Sequence, residues 1–103
     1  MWDCCEVRFA PDHPTASGHF PSNPIIPGAL LLDAVIRAIT DNATLEQSVD
    51  VRVAKFLHLV RPGDTVRIRW RSLGAGDIRF ECHLLPEDTL AMTGVLDLAG
   101  VSP

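Results

Sequence analysis

Over much of the chain, apolar and polar residues alternate with a period of two. Val66, Ile68 and Trp70 stand opposite Arg67, Arg69 and Arg71, so Thr65–Arg71 is expected to be a strand with one covered side. Ile78, Phe80, Cys82 and Leu84 alternate with Arg79, Glu81 and His83, and Leu90, Met92, Leu96 and Leu98 mark a last strand. The residues between these runs are turn formers: Arg61-Pro62-Gly63-Asp64, Gly74-Ala75-Gly76-Asp77 and Pro86-Glu87-Asp88. Val51–Val60 reads as a further strand, and Cys5, Val7 and Phe9 against Glu6 and Arg8 as a short first one.

The period changes once. From Gly28 to about Thr40 the chain reads GALLLDAVIRAIT, opened by Pro27 and stopped by the polar residues Thr40 to Thr44, which predicts a helix. Its apolar residues run almost all the way round, so it is expected to be surrounded by other structure. One such helix and about five antiparallel strands pack most economically if the sheet curls about the helix. The prediction is an α+β fold in a single domain over residues 1–103. The segment between the first strand and the helix, Pro11 to Pro27, holds five of the eight prolines and is expected to be irregular but narrow in conformation.

Composition narrows the function classes. A chain of 103 residues, 47% hydrophobic and 21% charged, suits one modest core. The net charge of −4 argues against nucleic-acid binding, although Arg52–Arg79 carries seven cations against two acids. No run approaches the ~18 apolar residues of a membrane span, and MWDCCEVRFA has no leader character, so a cytoplasmic protein is expected. Cys4, Cys5 and Cys82 lack zinc-type spacing and are read as free thiols.

The stretch Gly18–Asp33, GHFPSNPIIPGALLLD, concentrates the candidate chemistry. A histidine is a usable base near neutrality, and a carboxyl group becomes a usable acid in an apolar setting. His19 supplies the first, and Asp33, among Leu30, Leu31, Leu32 and Val35, the second. The free N–H groups at the Gly28 end of the helix form a site for developing negative charge, such as a thioester oxygen becoming an enolate. The plainer alternative is a loop histidine with hydrogen bonds of its own and an Asp33–Arg37 ion pair one turn apart.

These residues resemble the signature of the hot-dog-fold 3-hydroxyacyl-acyl-carrier-protein dehydratases: a His-Phe dipeptide, a PxxPG step, and an acid five residues beyond that glycine. The Arg61–Asp64 turn is similar to one common in that family. The resemblance implies that His19 takes a proton from C2 of a 3-hydroxyacyl thioester and that Asp33 protonates the leaving hydroxyl. The Gly28 N–H would hold the carbonyl, and no metal or other cofactor would be needed. It also implies an acyl carrier protein as partner and a homodimer in which histidine and acid come from different chains. Five residues at ~100° each put Asp33 about 140° around the helix from Gly28, which agrees with one helix serving two pockets.

Arg37 is a departure, since the family commonly has a glutamine there. Thioesterase or isomerase action on the same fold, or a non-catalytic acyl-binding partner subunit, are the alternative readings. Arg67, Arg69 and Arg71 form either a solvated face or a docking patch for an acidic carrier protein. His13, His58 and His83 are read as structural or surface residues, and Trp2, Trp70, Phe56 and Phe80 as packing.

Overall fold

The computed structural model describes residues 1–10, 25–40 and 49–98. The elements are β1 (Asp3–Arg8), α1 (Gly28–Ile39), β2 (Asp50–Phe56), β3 (Thr65–Gly74), β4 (Asp77–Leu84) and β5 (Thr89–Asp97). The strands form one antiparallel sheet in the order β1-β3-β4-β5-β2, so the strand that follows the helix lies at the edge remote from β1.

Register turns the alternation of the sequence into two faces. Ile68 pairs with Cys82 and Cys82 with Met92, while Val66 pairs with Leu84 and Ile78 with Leu96. Val66, Ile68, Phe80, Cys82, Met92 and Leu96 are fully buried on this side, where α1 adds Leu31 and Val35. Each large side chain so covered stabilises the fold by about 1.5–3 kcal/mol. The opposite face carries Arg67, Arg69 and Arg71 against His83, Glu81 and Arg79. The β3–β4 connection is tight because Gly74 and Gly76 take φ of +96° and +87°.

Two expectations change. α1 is not enclosed all round: Leu31 and Val35 are buried, but Ala29, Asp33 and Arg37, spaced at i, i+4 and i+8, form an exposed stripe. The strand expected over Val51–Val60 stops at Phe56, where the N–H groups of Leu57 and His58 both donate to the Ala91 carbonyl (2.8 and 3.3 Å) and the chain leaves the sheet. Among the described residues no helix is long and apolar enough to cross a membrane.

Candidate active site

Gly28 opens α1 with no side chain capping it, Pro27 standing at the N-cap in an extended conformation. The Leu30 and Leu31 N–H groups reach the Pro27 carbonyl (3.0 and 3.2 Å), whereas those of Gly28 and Ala29 belong to the first turn, which has no intrahelical acceptors for them. The Ile26 N–H donates to the Val60 carbonyl at 2.7 Å and pins the helix start beside the segment that leaves β2.

A cavity of about 330 Å³ lies there, lined by Ile25, Ile26, Gly28, Ala29, Leu31, Phe56, His58, Leu59 and Val60. The Phe56 ring touches the backbone so closely that a Cβ on Gly28 would stand 2.7 Å from Cε1. Phe56, His58 and Leu59 also wall a second, more open cavity of about 740 Å³, continued by Leu57, Arg61, Asp64 and Leu84. The His58 Nδ1 lies 2.8 Å from the Leu59 carbonyl oxygen, which only accepts, so Nδ1 carries the hydrogen.

His19 and His13 lie outside the described residues. Asp33 is described, and the apolar setting expected for it is absent. Leu31 turns to the core, while the Asp33 side chain, 52% exposed, accepts a hydrogen bond from Arg37 Nε at 2.8 Å. Nor does Asp33 line the Gly28 cavity; the rotation between the two positions on one helix separates them.

The three arginines of β3 are divided by their neighbours. Arg67 pairs with Asp88, and Arg69 stacks on Trp2 (4.1 Å to the ring centroid) with Glu81 at 3.7 Å. His83 joins the same network through Glu81 at 3.0 Å. Arg71 is exposed, 5.4 Å from the Trp2 ring and opposite Arg79. Cys4, Cys5 and Cys82 are free thiols, as expected, and burial pushes Cys82 up to about 12.

Sequence reasoning missed Phe56 and His58 as pocket residues. Their only signal was the run Phe56-Leu57-His58-Leu59, where alternation with charged residues ends before the Pro62-Gly63 turn.

The family description of ApeI-like dehydratases matches residues 4–94, which takes in His19, Gly28 and Asp33. The chain belongs to the ApeI-like dehydratase family. A 3-hydroxyacyl-acyl-carrier-protein dehydratase FabZ of Ehrlichia chaffeensis is 36% identical over a match covering 77% of this chain and 61% of that protein. Another from Chloroflexus aggregans is 34% identical, covering 72% and 61%. The chain thus spans about three-fifths of the length of these relatives. In fold, this ApeI-like chain resembles the dehydratase heterocomplex ApeI:P from Xenorhabdus doucetiae (TM-score 0.76, 21% identity, 93% of this chain and 85% of that one). It also resembles an uncharacterized protein from Erwinia carotovora subsp. atroseptica (TM-score 0.77, 25% identity, 97% and 84%). The fold is the hot-dog fold, one helix packed against a five-stranded antiparallel sheet.

Proposed function

We propose that this ApeI-like chain dehydrates 3-hydroxyacyl thioesters of an acyl carrier protein to trans-2-enoyl thioesters, in fatty-acid, polyketide or polyene synthesis in the cytoplasm. The observation that carries this reading is the uncapped helix start at Gly28, which opens on an apolar cavity in a member of a dehydratase family. In this reading the Gly28 N–H holds the thioester carbonyl, where charge builds as C2 loses its proton to His19. The electron pair left on C2 becomes the C2–C3 double bond as the C3–O bond breaks, and the hydroxyl departs as water with a proton from Asp33.

Asp33 works in the pocket of a second copy. Its exposure away from the Gly28 cavity, and the exposed Val51, Val53 and Phe56 on the edge strand β2, support a homodimer. The exposed Arg71 and Arg79 are the part of the basic face left for an acidic carrier protein.

The test follows mass: the protein is given a 3-hydroxyacyl carrier thioester or its enoyl counterpart, alongside His19→Ala and Asp33→Asn. Interconversion lost in both variants supports the reading. Refolding the two variants as an equal mixture restores about a quarter of native activity if sites are shared, because half the dimers are hybrids with one intact pocket. A folded protein that never interconverts the two thioesters overturns it. A second reading, a subunit that binds acyl thioesters without turnover, draws on the Asp33–Arg37 ion pair; binding without water loss is its signature.

A further inference from the structure

Among the described residues that line the Gly28 cavity, His58 has the only side chain able to form a hydrogen bond; the others are Ile25, Ile26, Gly28, Ala29, Leu31, Phe56, Leu59 and Val60. Its ring is held in one orientation by the Nδ1–H donated to the Leu59 carbonyl. In the neutral imidazole this fixes the tautomer and leaves Nε2 as an acceptor, for which no partner is found among the described residues. The chain beneath is anchored by the bonds from Leu57 and His58 N–H to Ala91, so the ring stands on a fixed base.

Beside the backbone N–H groups at the helix start, His58 Nε2 is therefore the one side-chain acceptor among the described residues that line the cavity. Of the polar groups within two carbons of a 3-hydroxyacyl carbonyl, the carbonyl oxygen accepts and the 3-hydroxyl alone donates. We infer that His58 is a substrate-specificity residue whose Nε2 accepts a hydrogen bond from the substrate's 3-hydroxyl. This rests on the dehydratase reading and adds to it a residue for recognition of the hydroxyl.

The hydroxyl oxygen keeps its lone pairs in this arrangement and is free to be protonated from elsewhere as it leaves. The saturated acyl group of the same length has no hydrogen to donate to Nε2. The hydroxylated ligand therefore gains one hydrogen bond that the saturated one cannot make, and because the His58 ring is exposed the preference is that of a single net hydrogen bond.

The experiment measures dissociation constants for two pantetheine ligands in which an amide replaces the thioester, so that C2 is not deprotonated. One carries the 3-hydroxyacyl group and the other the saturated acyl group of equal length. The native protein is expected to bind the hydroxylated ligand about tenfold more tightly. His58→Phe should bring the ratio to about one while leaving affinity for the saturated ligand within about twofold, and His58→Gln, which retains an acceptor oxygen, should keep part of the preference. His58 is exposed, so both variants should fold, which circular dichroism checks. Equal binding of the two ligands by the native protein, or a preference that survives His58→Phe, overturns the inference while the dehydratase assay stands apart from it. Failure to bind either ligand by a protein that interconverts the carrier thioesters also overturns it, while the carrier-thioester assay by itself decides the dehydratase reading.

Discussion

The Phe56 ring edge closes against the Cα of Gly28, and no side chain beyond hydrogen fits between them without movement. The two residues are far apart in sequence and on different elements, yet together they bound the mouth of the cavity at the helix start. The atoms in the way, Cε1 and Cζ, are the far end of a side chain that is itself exposed, so a methyl group at Gly28 displaces the ring and not the backbone.

Gly28→Ala is therefore expected to change stability by less than about 1 kcal/mol, since alanine suits a helix start at least as well as glycine, while lowering the proposed dehydratase activity at least tenfold by filling the approach to the N–H groups. Phe56→Leu in the same chain should return part of that activity. Urea titration and turnover of the single and double variants check this, and unchanged activity in Gly28→Ala would remove Gly28 from the site.

At Gly94 the obstacle is backbone. A Cβ there would stand 2.2 Å from the Val53 carbonyl oxygen on β2 and 2.7 Å from Phe80 Cζ in the core. Gly94→Ala should cost about 3 kcal/mol, because neither the β2–β5 ladder nor a fully buried phenylalanine can give way cheaply. The midpoint of a urea titration reads this directly, and a shift equivalent to under ~1 kcal/mol contradicts the packing described.

The Asp33–Arg37 pair is exposed and spaced i, i+4, a class worth about 0.3–0.5 kcal/mol. Arg37→Gln should leave stability almost unchanged. If Asp33 is the acid, releasing it from the guanidinium should raise turnover about twofold, the rate equivalent of that same energy. Steady-state rates decide it, and a large fall in turnover would instead give Arg37 a part in the chemistry.

Cys82 is fully buried and its thiol is pushed up from 9.0 to about 12 by desolvation, with the nearby Cys5 thiol adding to the rise. Cys4 is exposed. Iodoacetamide at neutral pH should modify Cys4 promptly and Cys82 only in the unfolded chain, as peptide mass mapping would show. Because the folded state holds the Cys82 proton more tightly than the unfolded state, this group's contribution is intact below pH 9.0. It is lost as pH rises towards about 12, so stability should decline across that window in wild type and decline less in Cys82→Ala.

Local periodicity makes most of the fold legible in the amino-acid sequence. The alternation of Val66, Ile68 and Trp70 with three arginines, and the apolar run after Pro27, depend only on neighbours a few residues away. The resemblance over Gly18–Ala34 likewise singles out His19, Gly28 and Asp33 as candidate residues, of which Gly28 and Asp33 are described. The amino-acid sequence thus carries the set of elements, the two faces of β3 and β4, and the family, but not the exposed stripe of α1.

The tertiary structure alone decided which residues share a cavity and which stand apart. Gly28, Phe56 and His58 meet because the Ile26–Val60 bond and the Ala91 carbonyl draw the segment after β2 to the helix start. Asp33 stands in solvent because the face of α1 turned to the sheet is centred on Leu31 and Val35, and the stripe of Ala29, Asp33 and Arg37 lies away from it. Arg67 is drawn to Asp88 in the β4–β5 connection, and Arg69 to Glu81, which register sets opposite it on β4. Each of these outcomes is a contact between residues far apart in the chain, set by strand order and register, to which a local pattern of apolar and polar residues is blind.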